Sequence, residues 1–301
     1  MNATQPPGVW QRLLKNYMAV ASMIILLVIA IFAIFGPAIF HTDPHSTSPD
    51  QFASPSAHHF FGTDINGRDV FSRVIEGARI SLLVGFSGAI VSLIVGTGYG
   101  LVAGYAGGTT DGLMMRFVEI LYAIPRLIII ILAVFIFDPY LKQAVQNFRD
   151  GALVGYTRVI ILIMSLGLME WLTMARIVRG QVLALKSQQF VAAARSLGQS
   201  HAKIILRHLL PNLIGIVIVY LTLTIPSVIL DESFLSFLGL GIQPPQASWG
   251  SLLSDGATVI NPVKSYWWLL LYPALIMSIT LLSLNFIGDA LRDALDPRGK
   301  K

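Results

Sequence analysis

The chain contains no cysteine and little charge: of 301 residues, only 12% are Asp, Glu, Lys or Arg. The first absence excludes disulfides, zinc–thiolate sites, iron–sulfur clusters and cysteine nucleophiles. There is no G-x-x-x-x-G-K-[ST], so the chain has no phosphate cradle of its own, and no H-E-x-x-H. The stretch Gly85–Gly88 fails the spacing of a G-x-S-x-G elbow. All six histidines (His41, His45, His58, His59, His201 and His208) lie outside the apolar runs, which removes an intramembrane base. Adjacent His58 and His59 read as solvated loop residues rather than metal ligands. Gly96-x-Gly98-x-Gly100 lacks the GxGxxG spacing of a dinucleotide loop. A net charge of +5 and a pI near 9.5 raise the question of nucleic acid. No base-reading motif accompanies them, and the cations fall between apolar runs.

What the chain does have is apolar length. It is 54% hydrophobic, with a mean hydropathy of +0.70, values of a polytopic membrane protein. Six runs approach the roughly 20 residues a spanning helix needs. They lie near 17–40, 80–104, 114–137, 157–176, 212–231 and 267–288. Backbone groups must be satisfied inside hydrocarbon and barrel alternation is absent, so the expected fold is all-α with six transmembrane helices. The first run is too long for a signal-peptide core and reads as a retained helix.

Arg12 and Lys15 precede the first run. Arg176, Arg179, Lys186, Arg195, Lys203 and Arg207 follow the fourth, and Arg292, Arg298, Lys300 and Lys301 follow the sixth. These basic segments place both termini and the fourth connection in the cytoplasm. Three longer segments, 41–79, 138–156 and 232–266, fall outside. They carry Asp43, Asp50, Asp64, Asp69, Glu76, Asp138, Asp150 and Asp255, together with Arg68, Arg73, Arg79, Lys142, Arg149 and Lys264.

Gly96, Gly100 and Gly104 recur every four residues, which predicts close helix contact along one face. Charges at membrane depth face a bundle interior or an aqueous path. Glu119, Arg126, Glu170, Asp231 and Glu232 are therefore candidates for the translocation path, with Asp289 near the last span. Pro125, just before Arg126, predicts a kink in the third span. Arg126 in a polar pathway and Arg126 as a structural pair or snorkelling cation stand side by side. Arg116 and Glu119, at i,i+3, suit a simple pair.

Phe190–Asn212, "FVAAARSLGQSHAKIILRHLLPN", is neither apolar enough to span nor polar enough for a plain linker. Ala192, Ala193 and Ala194 allow close backbone approach, Gly198 suits a left-handed bend, and Ser200 suits an N-cap. Pro211 suits the start of the fifth span. Ile204, Ile205, Leu209 and Leu210 form an apolar stripe. The pattern predicts two short helices about a tight bend. Its shape suits packing into a partner or against its own bundle, but on pattern alone an interfacial amphipathic helix is the favoured reading.

The segment resembles the cytoplasmic "EAA" loop of ABC-importer permeases, E-A-A-x3-G-x9-I-x-L-P. Ala192-Ala193-Ala194, Gly198 and His208-x-Leu210-Pro211 keep that spacing, with Ala192 in place of the glutamate and His208 in place of the isoleucine. Phe61–Gly85, Phe237–Gly256 and Asn285–Arg298 resemble the C-type permease subunit of oligopeptide and dipeptide importers. The resemblance covers nearly the whole chain. It implies a type I ABC importer permease fold in the bacterial inner membrane, with a tail, first helix and external loop at 1–78. A permease core follows at 79–290, with its coupling segment at 186–211, and a cytoplasmic tail at 291–301. It implies a homologous second permease, two ATPases that bind ATP and Mg, and an extracytoplasmic peptide-binding protein. This chain would carry no cofactor and no catalysis. Ala192, Ala193, Ala194, Gly198, His208, Leu210 and Pro211 would meet an ATPase. Asp64, Arg68, Asp69, Gln243 and Trp249 would meet the binding protein, while Trp267 and Trp268 read as interfacial anchors. "GTDINGRD" (62–69) reads as turn chemistry rather than a calcium loop. Related members carry dipeptides, glutathione, antimicrobial peptides or nickel chelates. The rivals are an ion-coupled transporter, an intramembrane enzyme and a scaffold. The first would need duplicated halves, of which no convincing repeat is visible.

Overall fold

The computed structural model describes residues 8–40, 43–146, 151–260 and 264–295. Arg149, Asp150, Arg298, Lys300, Lys301 and His41 lie outside the described residues. In chain order the helices are α1 (Val9–Lys15), α2 (Tyr17–Phe40), α3 (Val70–Ala106), α4 (Gly108–Ala123) and α5 (Arg126–Gln146). A 3-10 turn (Gly151–Tyr156) leads to α6 (Thr157–Lys186), α7 (Gln189–Ser196) and α8 (His201–Ile204). A π-turn (Ile205–Leu209) then opens α9 (Leu210–Phe237), followed by α10 (Trp249–Thr258) and α11 (Trp268–Leu295). Among the described residues the only strand-like pairing is the bridge between Thr63 and Asp69. Among the described residues, six helical stretches are long and apolar enough to cross a membrane, as the hydropathy predicts.

Their extents differ from the apolar runs. The second helix starts at Val70 rather than near 80, because the Asp69 carboxylate caps it by accepting from Ser72 N at 2.9 Å. The 78/79 boundary therefore falls inside α3. The fourth span, α6, continues to Lys186 and the fifth begins at His201. Helical hydrogen bonding does not stop where the hydrocarbon does, so polar flanks simply extend it. The third run corrects the expected kink. Pro125 lies between two helices, with Ile124 extended at φ −91° and ψ 129°, and α4 and α5 are separate. Proline excludes the helical conformation from the residue before it and supplies no amide.

The centre of the bundle is the contact of α3 with α6. The stripe predicted from spacing is its seam. A Cβ at Gly96 would fall 2.6 Å from Met174 Cβ, one at Gly100 2.5 Å from the Ala175 carbonyl, and one at Gly104 2.8 Å from Val182 Cβ. Between two apolar helices in lipid, such backbone approach supplies dispersion contact that larger side chains prevent. Helix α9 packs on α3 and α6, α11 packs on α9 and α2, and α10 wedges between α9, α11 and α3. Trp249, at the start of α10, is fully buried in that wedge.

The seam makes a prediction. Gly100→Ala destabilises the protein by about 1–3 kcal/mol, the usual penalty for overpacking. Gly98→Ala, where nothing lies within 4 Å, leaves stability within about 0.5 kcal/mol. Thermal unfolding of the two variants in detergent checks this contrast.

Candidate functional site

Two groupings stand out, one at half height and one at the end where α6 meets α7. At half height, α5 begins with Arg126. Its Nη1 donates to Glu170 Oε1 of α6 at 3.0 Å and its Nη2 to Asp231 Oδ1 of α9 at 2.8 Å. Gly88, midway along α3, contacts Val228 and Ile163, which sets the height of the neighbouring Asp231. The break at Pro125 is what brings a helix start to this depth. Its free amide ends add positive potential beside the two carboxylates. The carboxylates are largely enclosed, whereas the Arg126 side chain is 54% exposed on the bundle surface. Among the described residues one guanidinium serves two carboxyl groups.

The structure brings together three of the five candidates, Arg126, Glu170 and Asp231, and places the other two elsewhere. Glu119 is exposed and pairs with Arg116 at 3.3 Å, the simple i,i+3 pair. Glu232 is 0% exposed and takes hydrogen bonds from serines, so it lines no path in this conformation.

At the other end, α7 closes with two chain-reversing hydrogen bonds. Gly198 N donates to Arg195 O at 2.9 Å and Gln199 N to Ala194 O at 3.1 Å, with Gly198 at φ +69°. This is a Schellman stop, and the left-handed residue in it is glycine because a Cβ is disfavoured there. Ser200 Oγ accepts from Lys203 N at 3.4 Å and caps α8, as expected. The second short helix is not a separate element, however. It runs through the π-turn into α9, with Leu210 N donating to Ile205 O, so Pro211 sits in the first turn of a continuing helix rather than at a break. The sequence shows the proline but not the π-turn, which arises where the amide that Pro211 lacks would have bonded.

Val191, Ala194, Ile204 and Leu209 bury themselves against Leu101, Val178 and Val182 of α3 and α6. Of the three alanines only Ala194 packs within the chain; Ala192 and Ala193 face outward. Leu197, 79% exposed, and Leu206, 64% exposed, share that outer side with Arg195, Lys203 and Arg207. His208, in the isoleucine position, bonds through Nε2 to Gln199 Oε1 at 2.9 Å and so ties α8–α9 back to the bend.

Sequence reasoning missed the anchors of this region. Tyr105, at the end of α3, shares a 2.7 Å hydrogen bond with His201 Nδ1, and its carbonyl accepts from Lys186. Its ring lies 5.6 Å from the Arg195 guanidinium. Asp111 of α4 accepts from Arg179 Nε at 2.5 Å and Nη2 at 2.6 Å, a forked pair across 68 positions that no local spacing announces. Hydrogen bonding from Arg179 holds the Asp111 carboxyl below its ordinary value despite partial burial.

On the opposite face, most of the expected docking residues make contacts within the chain. Asp64 is buried, accepts from Asn66 N and Arg68 N in a turn, and pairs with Arg68 Nε at 2.7 Å and Arg73 Nη1 at 2.8 Å. Asp69 is the α3 cap, and Trp249 is enclosed. Asp64 and Trp249 are buried, while Asp69 is partly exposed. Trp268 is buried too, its Nε1 donating to Thr63 O at 3.4 Å, whereas Trp267 remains exposed as an anchor should. Gln243 is half-buried, beside the exposed Pro244 and Pro245.

Among the described residues, six helices long and apolar enough to cross a membrane surround a charged cluster and end in an exposed bend. The fold is that of a type I ABC importer permease, a transport subunit without catalysis of its own. Residues 96–301 match the family described as "Binding-protein-dependent transport system inner membrane component". Residues 8–56 match the "N-terminal TM domain of oligopeptide transport permease C". The chain belongs to the binding-protein-dependent permease family. It is 46% identical over 300 residues to the oligopeptide transport system permease protein OppC of Haemophilus influenzae, covering 97% of this chain and 90% of that protein. It is 44% identical over 293 residues to the dipeptide transport system permease protein DppC of Bacillus subtilis, covering 96% and 84%. It is 45% identical over 304 residues to OppC of Escherichia coli, covering 97% and 92%.

Two measurements follow. Arg126→Ala lowers stability by about 1–3 kcal/mol, at or below the cost of breaking a buried pair because the guanidinium is half exposed. Adding Asp231→Asn recovers part of the loss, which thermal unfolding of the single and double variants reads as a coupling. The second concerns Asp111. Its folded-state pKa lies below the ordinary 3.8, so the stability it contributes is full above that value and is lost as pH falls through the lowered pKa. Asp111→Asn therefore melts lower than the native chain at pH 7, by about 1–3 kcal/mol, and the difference shrinks on acidification below the carboxylate range.

Proposed function

We propose that the chain is the permease subunit through which an ATP-driven importer admits oligopeptides or dipeptides. A homologous second permease completes the path, two ATPases dock below, and an external peptide-binding protein delivers cargo. The termini and the coupling segment 186–211 lie in the cytoplasm. In this reading the outer side of α7, α8 and the π-turn, with Ala192, Ala193, Leu197 and Leu206, seats in a groove on one ATPase. The observation that carries it is the continuity of α8, the π-turn and α9. Whatever grips the bend also holds a helix bearing Asp231 of the charged cluster, and coupling needs a stiff element with different contacts in two states.

The Arg126–Glu170–Asp231 cluster lines the path. A half-exposed cation shared by two carboxylates can exchange partners with charged cargo, so Arg126→Ala alters the range of peptides taken up while the complex still assembles. On the external side the receptor meets the rim around Gln243, Pro244 and Ile65 rather than the buried Asp64 and Trp249 or the capping Asp69. Cargo identity within the family rests mainly on that receptor, which is another chain. Glutathione, antimicrobial peptides or nickel chelates as cargo would leave this geometry unchanged.

The test is Gly198→Val. A β-branched residue at φ +69° is strained by about 1–3 kcal/mol although the site has open space around it. Insertion and assembly persist, while ATP hydrolysis by the reconstituted complex no longer drives uptake. A variant that transports at the native rate would refute the coupling role of the bend.

A further inference from the structure

Glu232 lies near the end of α9 remote from the bend and has no cationic partner among the described residues. Three hydroxyls point at its carboxyl instead. Ser81 Oγ of α3 donates at 2.9 Å, Ser236 Oγ at 2.7 Å and Ser233 Oγ at 3.3 Å. Two of these serines are themselves held by the following segment. Trp249 N, at the start of α10, donates to Ser81 Oγ at 3.3 Å, and Ile242 N donates to Ser236 Oγ at 2.9 Å. One carboxyl group thus links α3, α9, the turn at 238–248 and α10. The packing leaves no slack: a Cβ at Gly250 would fall 2.5 Å from Ser233 Cα. A buried carboxyl without a cation is not a stabilising choice, since a well-packed apolar side chain does as well or better in such a place. Its use lies in the directional linkage it makes.

We propose that Glu232 is a positioning residue that locks the external segment 238–258 to α9, so that receptor docking outside is felt at the cytoplasmic bend. The inference rests on the proposed docking of a receptor on this face. Because α9 is continuous to His201, a load on the locked segment moves the whole helix. With the lock loosened, the segment moves alone and the coupling is lost.

The test uses the complete complex of two permeases, two ATPases and receptor, with Glu232→Gln and Ser81→Ala. The amide presents a donor where the hydroxyls present donors, and the alanine removes the α3 arm; both keep the volume of the site. Basal ATP hydrolysis and receptor affinity stay at native levels, while stimulation of hydrolysis by loaded receptor falls about tenfold, within the range of measured site-to-site couplings. Native stimulation in both variants overturns the proposal. So does an equal fall in basal and stimulated rates, the mark of a group that merely holds the fold. Gln243→Arg and Ile65→Arg, read as receptor affinity, test the docking itself. Unchanged affinity in both refutes docking on this face and the relay with it. Weakened affinity in those variants, alongside native stimulation in Glu232→Gln, refutes the relay alone.

Discussion

Everything in this structure depends on α9 staying helical from the bend to the external turn. In hydrocarbon an unpaired amide or carbonyl is strongly unfavourable, so a spanning segment keeps its helix even where proline removes a donor. Two prolines test the rule here. Pro211 is accommodated by the π-turn at Ile205–Leu209, and Pro226 lies buried within α9 among neighbouring helices. The outcome is one stretch, His201–Phe237, which starts at the bend and carries Asp231 and Glu232 in its last two turns.

Electrostatics follow from the same constraint. Charge inside a bundle must be met by side chains of other helices. Arg126 meets Glu170 and Asp231, which joins α5, α6 and α9 at one point, and the serine cage around Glu232 joins α9 to α3 and α10. Adjacent residues on one helix therefore face two different networks. The seam of α3 and α6 supplies the fixed frame against which α9 is held, because glycines there let the two backbones touch. The bend is seated on the same frame through Val191, Ala194 and Ile204. Asp111 and Arg179 pin the start of α4 to α6 nearby.

Much of this was legible from residues whose meaning is local. Gly198 followed by Ser200 spells a stop and a cap within three positions, and the stripe of Gly96, Gly100 and Gly104 needs only a helical period. The apolar runs name six spans because hydrocarbon thickness sets their length. What depended on distant contacts was not legible. Trp249 in a loop of glycine and proline has the look of a surface aromatic, and its burial is decided by how α10 wedges against α9 and α11. Asp64 carries the signature of a turn, yet Arg73, nine residues on, draws it inside. Glu232 could not be separated from Asp231 by sequence, since one residue of rotation on a helix turns a side chain by about 100° and selects an entirely different set of neighbours.

The absence of cysteine makes the central claim directly measurable. Lys203 and Phe234, both exposed, can be replaced by spin-labelled cysteines in an otherwise cysteine-free chain. Their separation along an unbroken helix is about 46 Å at 1.5 Å per residue. In the assembled complex, that distance is expected to be the same with and without a bound ATP analogue, because α8, the π-turn and α9 move as one body. A change of several ångströms between the two states, with the helix yielding at the π-turn, would contradict it.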